Sequence, residues 1–254
     1  MERTIRLTLE YDGTDYNGWQ VQNASRKGGI RQKKTVQSAL EAALARLFCK
    51  HIPIIGSGRT DAGVHALGQT AHFSVDSKLP LERVITGLNA FLPDDIVVVD
   101  AREETPTFHS RFSAVSKLYR YTIANRPYRL ALERRYAWLC SFPLNVKRMR
   151  KEARVLQGKH DFSAFRISGS SVKSSVRTIK KIAVRKHGDR IMIDIEADGF
   201  LYAMARSIAG TLIDIGRGRL PPGSMRKILL SRKRAAAGVT APACGLCLVC
   251  VHYS

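Results

Sequence analysis

The chain has 254 residues, with 42 Lys and Arg against 21 Asp and Glu, a net charge of +21 and a pI near 10.3. So large a cationic excess points to a polyanionic partner, because neutralising phosphates releases their counterions, while 44% hydrophobic residues are too many for a disordered basic tail. The expectations exclude a membrane protein and a disulfide framework: no apolar run nears the roughly 18 residues that span a bilayer, Met1 to Arg6 alternates like a strand without a signal core, and five cysteines, an odd number, suit a reducing cytoplasm.

Arg3 to Tyr11 alternates polar and apolar residues and predicts a first strand. The turn-rich segment Asp12 to Gln20 follows, then a basic stretch from Ser25 to Lys34. Thr35 is placed to cap a helix running to about Cys49, in which Val36, Ala39, Leu40, Ala43, Leu44 and Leu47 form one apolar stripe. His51 to Ile55 predicts a second strand, a glycine-rich loop follows, and another apolar run begins near Leu67. Leu81 to Phe91 predicts a helix stopped before Pro93, and Ile96 to Val99 a buried strand. The resulting order, β-α-β-β-α-β, is the ferredoxin-like arrangement common among RNA-binding folds.

The pattern recurs. Lys117 to Asn125 predicts a strand and Val146 to Leu156 a helix; Thr178 to Lys186 and Arg190 to Ala197 form a hairpin about His187-Gly188-Asp189; Leu201 to Ile213 is helical and Gly245 to Tyr253 a last strand. The expected fold is α+β: two ferredoxin-like halves, residues 1–112 and 113–254, able to join into one extended, mainly antiparallel sheet with helices on one face and a basic cleft on the other. Segments 102–111 and 147–186 are basic-rich and would line its rim. Cys244, Cys247 and Cys250 have the C-x-x-C-x-x-C spacing of a metal site, but residues three apart on a strand face opposite sides. No metal is expected, and the cysteines read as small hydrophobes.

The chemistry is concentrated in Gly56-Ser57-Gly58-Arg59-Thr60-Asp61-Ala62-Gly63-Val64-His65-Ala66. Glycines at 56, 58 and 63 remove Cβ bulk and permit positive φ, so the backbone can turn sharply between two strands and carry Asp61 outward. An ionised carboxylate there is a competent nucleophile or base; it could equally serve only to hydrogen-bond its own turn. No G-x-x-x-x-G-K-[ST] is present, so this is not a phosphate-cradling loop.

Gly58 to Ala66 resembles the signature of the tRNA pseudouridine synthase A family, whose Asp is the catalytic nucleophile, a role the resemblance assigns to Asp61. Three other stretches resemble family motifs in the right order. Ser116-Lys117-Leu118-Tyr119-Arg120-Tyr121 implies that Tyr119 stacks on the target base, where its hydroxyl could serve as the late base; a strand Tyr packed in the core is the other reading, and alternation puts Tyr121 on the same face. Gly199 to Leu212 implies that Arg206 pairs with the catalytic Asp. Ala236 to Leu246 implies that Leu246 lines the base pocket. Tyr11 to Thr14 and Gly18 to Gln20 also match, in a segment the family holds beside RNA, with Trp19 otherwise readable as a buried anchor. Arg59 is expected to fill the gap left by a flipped base, and His65 to help hold substrate. Departures from the pattern are Ala205, Cys244 and the longer, more basic stretch at 25–34.

The family resemblance implies isomerisation of uridine to pseudouridine at tRNA positions 38 to 40, in the anticodon stem-loop, by a cytoplasmic homodimer. The reaction is redox-neutral, so no cofactor is expected. It requires the uridine to leave its stack. The rival reading is a non-catalytic RNA-binding or ribosome-associated protein on the same scaffold, which explains the charge but not Asp61 or Arg206. A zinc deaminase would need H-x-E, which is missing; a two-metal nuclease would need clustered carboxylates.

Overall fold

A computed structural model describes residues 2–20, 34–167 and 174–254. Most of the basic stretch 25–34, and Lys173, lie outside the described residues. The fold is α+β with mainly antiparallel strands, and the chain divides into two compact units, residues 1–115 with 248–254 and residues 116–247.

Unit 1 follows the order β1 (Glu2–Tyr11), α1 (Val36–Phe48), β2 (Ile55–Gly56), β3 (His65–Asp76), α2 (Leu81–Phe91) and β4 (Ile96–Glu104), and is completed by most of β10 (Leu246–Tyr253). Its strands lie in the order β4-β1-β3-β10, with β2 on β3. Strand β1 runs antiparallel to both β3 and β4, so that Leu7 faces Ala71 on one side and Ala101 on the other. The alternation in β1 buries Ile5, Leu7, Leu9 and Tyr11. Helix α1 starts at the Thr35 cap, a reciprocal capping box with Ser38, and ends at Cys49 in the left-handed region. Asn89 of α2 grips β4 by donating to the Val98 carbonyl and accepting its N–H.

The second strand is much shorter than its sequence suggests. Only Ile55 and Gly56 pair with β3, at His72 and Ala71. Ile52 and Ile54 are buried all the same, so apolar alternation there reflects burial rather than a ladder.

Unit 2 orders its strands β5 (Ala114–Asn125), β9 (Arg190–Ala197), β8 (Val176–His187) and β7 (Gly158–Asp161), all antiparallel, and the short β6 (Trp138–Cys140) runs parallel to β5. Ile193 and Ile195 of β9 face Tyr121 and Tyr119 of β5. Helices α3 (Val146–Arg154), α4 (Met204–Gly216) and α5 (Ser224–Ser231) complete the unit. Strands β6 and β7 and helix α5 have no counterpart in the sequence reading. Helix α4 starts three residues later than its apolar stripe implies, because Ala203 sits at φ 57 and breaks the helical path. Glu152, the one acid of α3, is buried and accepts from the Gly223 and Met225 amides at 2.7 and 3.0 Å, satisfying the start of α5.

Candidate active site

The Asp61 loop of unit 1 is held at almost every residue but its tip. Ser57, Thr60 and Val64 are buried, Arg59 and Ala62 are exposed, and Asp61 lies between the extremes. Thr60 takes two bonds from β1 and the aromatic loop: its hydroxyl pairs with Tyr11 at 2.9 Å and its carbonyl accepts the Trp19 N–H at 3.1 Å. Gly63 donates to the Tyr16 carbonyl, and Val64 to the carbonyl of Asp61 itself. The loop's entry is fixed by Gln69, fully buried on β3, which accepts the Ser57 hydroxyl at 2.7 Å and donates to the Gly58 carbonyl at 3.1 Å. A buried amide satisfied on both ends is costly to disturb, so Asp61 is carried on a rigid turn.

Close approach explains the glycines. A Cβ on Gly13 would lie 2.0 Å from the Val64 carbonyl oxygen, and one on Gly18 2.5 Å from that of Thr60. Of the three loop glycines, Gly63 alone takes the positive φ that a missing Cβ permits, at 77°. Gly56 instead makes room for the Trp19 indole, 2.5 Å from where a Cβ would stand. Trp19, 2% exposed, is therefore a brace beneath the loop.

His65, at the start of β3, is buried. Its Nδ1 lies 3.1 Å from both the Gly13 amide and Asp12 Oδ1, two partners competing for one nitrogen. Asp12 also accepts from the Thr14 amide and hydroxyl. This histidine ties the Asp12–Gly13 turn to the loop's exit, a positioning contact that spacing alone did not reveal. Beside the same turn opens a cleft of about 300 Å³ lined by Thr14, Asp15, Tyr16, Asn17 and Lys34.

Unit 2 holds Tyr119, Arg206 and Leu246. Tyr119 and Tyr121 share one face of β5, but their surroundings differ. Tyr121 donates its hydroxyl to the Pro242 carbonyl at 2.9 Å, and a Cβ on Gly245 would strike its ring and hydroxyl at 2.6–2.8 Å. Burial, with the nearby Cys244 and Cys140, pushes the Tyr121 hydroxyl far above the usual phenol range. It is a structural tyrosine. Tyr119 meets Phe200 edge to face, with centroids 4.8 Å apart and planes at 74°; Phe200 lies in the Gly199–Leu212 stretch, but nothing in its spacing marks it as a partner of Tyr119.

Arg206, half-buried in α4, is bound twice to one residue: its Nε donates to the Ala241 carbonyl at 2.8 Å and its own carbonyl accepts the Ala241 N–H at 3.1 Å. Its charge also acts on Tyr121 and Cys244. The segment carrying Ala241 lies against α4 so closely that a Cβ on Gly210 would fall 1.8 Å from the Val239 oxygen. Leu246, the first residue of β10, is buried. The arrangement sets an aromatic ring, a guanidinium and a leucine in one unit, and a carboxylate on a braced loop in the other.

Among the described residues, no group of three His, Cys, Asp or Glu is arranged to hold a metal ion. Cys244 donates to the Ala137 carbonyl, and Cys250 lies 3.3 Å from His252 Nε2. No described helix is long and apolar enough to cross a membrane.

A family model described as tRNA pseudouridine synthase matches residues 8–113 and 153–254. The chain is 46% identical over 251 residues to the tRNA pseudouridine synthase A of Pelobacter propionicus and 44% identical over 251 residues to that of Thermoanaerobacter sp. strain X514, each alignment covering 99% of this chain and all of the relative. It is 43% identical over its full length to the tRNA pseudouridine synthase A 2 of Clostridium tetani. Among solved structures, a chain of a Cbf5-Nop10-Gar1 complex aligns over 82% of this chain and 54% of its own, at 11% identity and a TM-score of 0.33; a likeness so weak carries no weight.

Proposed function

Because the chain belongs to the tRNA pseudouridine synthase family, whose members are isomerases, we propose that it converts uridine to pseudouridine at positions 38 to 40 of the tRNA anticodon stem-loop, with Asp61 as nucleophile. The bond from uracil N1 to ribose C1′ breaks and one from C5 to C1′ forms; the C5 proton leaves and N1 gains one, so atoms and electrons balance without a cofactor. The observation that carries the reading is the bracing of the Asp61 loop by Trp19, Thr60 and Gln69, since a nucleophile gains rate from being held in place before the substrate arrives.

Tyr119 is assigned the flipped uracil, stacking on it and taking the C5 proton through its hydroxyl. The commitment of the Tyr121 hydroxyl to the Pro242 carbonyl supports giving that task to Tyr119. Arg206 is assigned the cation for the catalytic carboxylate, Leu246 a wall of the base pocket, and Arg59, exposed at the loop tip, the gap left in the RNA stack. The net charge of +21 supplies the general affinity for tRNA. The enzyme is proposed to act in the cytoplasm as a homodimer, which light scattering would check.

The deciding assay is tritium release from C5-labelled uridine in unmodified tRNA. Asp61→Asn should abolish release while tRNA binding stays near the wild-type value. Residual release above about a tenth of wild type would remove Asp61 from the nucleophile role.

A further inference from the structure

Unit 2 contains a second concave site. A cavity of about 320 Å³ opens between β7 and the end of α5, lined by Lys159, His160, Asp161, Leu229, Leu230 and Arg232. Strand β7 is the outer strand of the unit's sheet, separated from β5 and Tyr119 by β9 and β8. Three strand spacings of ~4.8 Å put it roughly 14 Å away.

The one carboxylate in the cavity is already committed. Asp161 accepts the Ser175 hydroxyl at 2.6 Å and the Ser163 amide at 3.0 Å, and its other oxygen lies 3.3 Å from Arg232 Nε. These bonds, those from Ser163 and Ser175 first, hold its carboxyl below the usual carboxylate range. Nε faces Asp161, the two terminal nitrogens of Arg232 have no carboxylate partner among the described residues, and the side chain is 70% exposed. Arg232 also keeps a left-handed backbone, φ 56, which a residue bearing a Cβ adopts at some cost. Lys159 is exposed and has no carboxylate partner among the described residues. In the same lining Leu230 is 72% exposed and Leu229 buried.

Two exposed cations and an exposed leucine lining one cavity match a phosphate joined to a flat base. We propose that this cavity is an RNA subsite that takes one nucleotide of the substrate tRNA, its phosphate between Lys159 and Arg232 and its base against Leu230. The proposal rests on the reading of the chain as a tRNA-modifying enzyme and adds a contact away from the reacting uridine. The cations of α3, Lys147, Arg148, Lys151 and Arg154, belong to the same unit and extend the attraction for phosphate.

Such a contact is made equally before and during reaction, so its loss raises KM and leaves kcat unchanged. The double variant Lys159→Ala/Arg232→Ala should raise KM for tRNA on the order of tenfold and make the salt dependence of binding shallower by about one unit of slope. Lys159→Arg/Arg232→Lys, which keeps both charges, should recover most of the loss. An unchanged KM and salt slope, or a fall in kcat alone, overturns the subsite. Leu230→Trp offers a direct reading in the otherwise intact enzyme. Its fluorescence should be quenched saturably by tRNA and not by millimolar UMP; quenching by UMP to the same extent would mean a free-nucleotide site, and turnover without quenching would rule out RNA contact. If the wild-type chain released no tritium yet tRNA quenched the reporter, the proposed reaction would fall while the RNA contact stood.

Discussion

Gly210→Ala sets two opposing effects against each other. In the middle of α4, alanine is favoured over glycine by about 1 kcal/mol, so helix propensity alone predicts stabilisation. The new Cβ, however, would lie 1.8 Å from the Val239 carbonyl oxygen and 2.9 Å from its carbon, so the 238–241 segment must retreat by more than an ångström. That segment is tied to α4 by the Gly238 N–H on Thr211 Oγ1 at 3.0 Å, the Val239 N–H on Asp214 Oδ2 at 3.3 Å and the two-way pairing of Arg206 with Ala241. At about 1 kcal/mol each, more where a charged group takes part, losing most of them costs about 3 to 5 kcal/mol. Subtracting the helical gain leaves about 2 to 4 kcal/mol of net destabilisation, or a fall in Tm on the order of 5 to 15 °C for a chain of this size. Thermal unfolding followed by circular dichroism reads this directly, and turnover should drop too, since Arg206 loses its anchor. An unchanged or raised Tm would show that propensity wins and that the close packing of α4 against 238–241 is wrong.

Two further substitutions examine neighbouring assignments. Tyr121→Phe removes the bond to Pro242 and should cost about 1 kcal/mol in denaturant unfolding with tritium release largely retained, whereas Tyr119→Phe should lose most release at similar stability; the reverse pattern would exchange their roles. Asp161→Asn tests the pH dependence of unit 2. Because the folded state holds this carboxyl below its ordinary 3.8, its contribution is fully present above that pH and is lost as pH falls through the folded value. The stability gap between wild type and variant should therefore stay constant in urea titrations from pH 6 to near 4 and close in stronger acid; a gap that widens there would reverse the sign of the shift.

Elements with strong local signals were legible in the sequence. Helix α2 spans the expected Leu81–Phe91, α1 begins at the Thr35 cap, and β9 covers the expected Arg190–Ala197, because caps and apolar periodicity depend on neighbours in the chain. The second strand shrank to Ile55–Gly56 since a ladder needs a partner, which periodicity cannot supply. Helix α5 was missed although Met225, Ile228 and Leu229 have helical spacing after Pro222-Gly223; at eight residues it is too short to stand out. In the site, the glycine-rich loop marked Asp61, but Gln69, Gly13 and Gly18 act through contacts distant in sequence. Tyr119 and Tyr121 could not be told apart by alternation, and what separates them, Pro242 and Gly245 against Tyr121, lies more than a hundred residues away.

Residues Leu248–Ser254 belong to the unit that opens the chain, although all of Ser116–Cys247 intervenes. They lie on β3, where the Val249 carbonyl faces Gly68, and Tyr253 bonds the Ser110 carbonyl at 2.7 Å. During synthesis, the half bearing Asp61 therefore emerges from the ribosome before unit 2 and is completed after it: one flank of β3, beyond its short pairing with β2, stays an open edge until β10 arrives. Unit 2 can form meanwhile from contiguous chain. A lesion within Leu248–Ser254 would strike the unit that carries the Asp61 loop rather than the unit translated just before it, and the waiting edge is where a chaperone or a second nascent chain would find purchase.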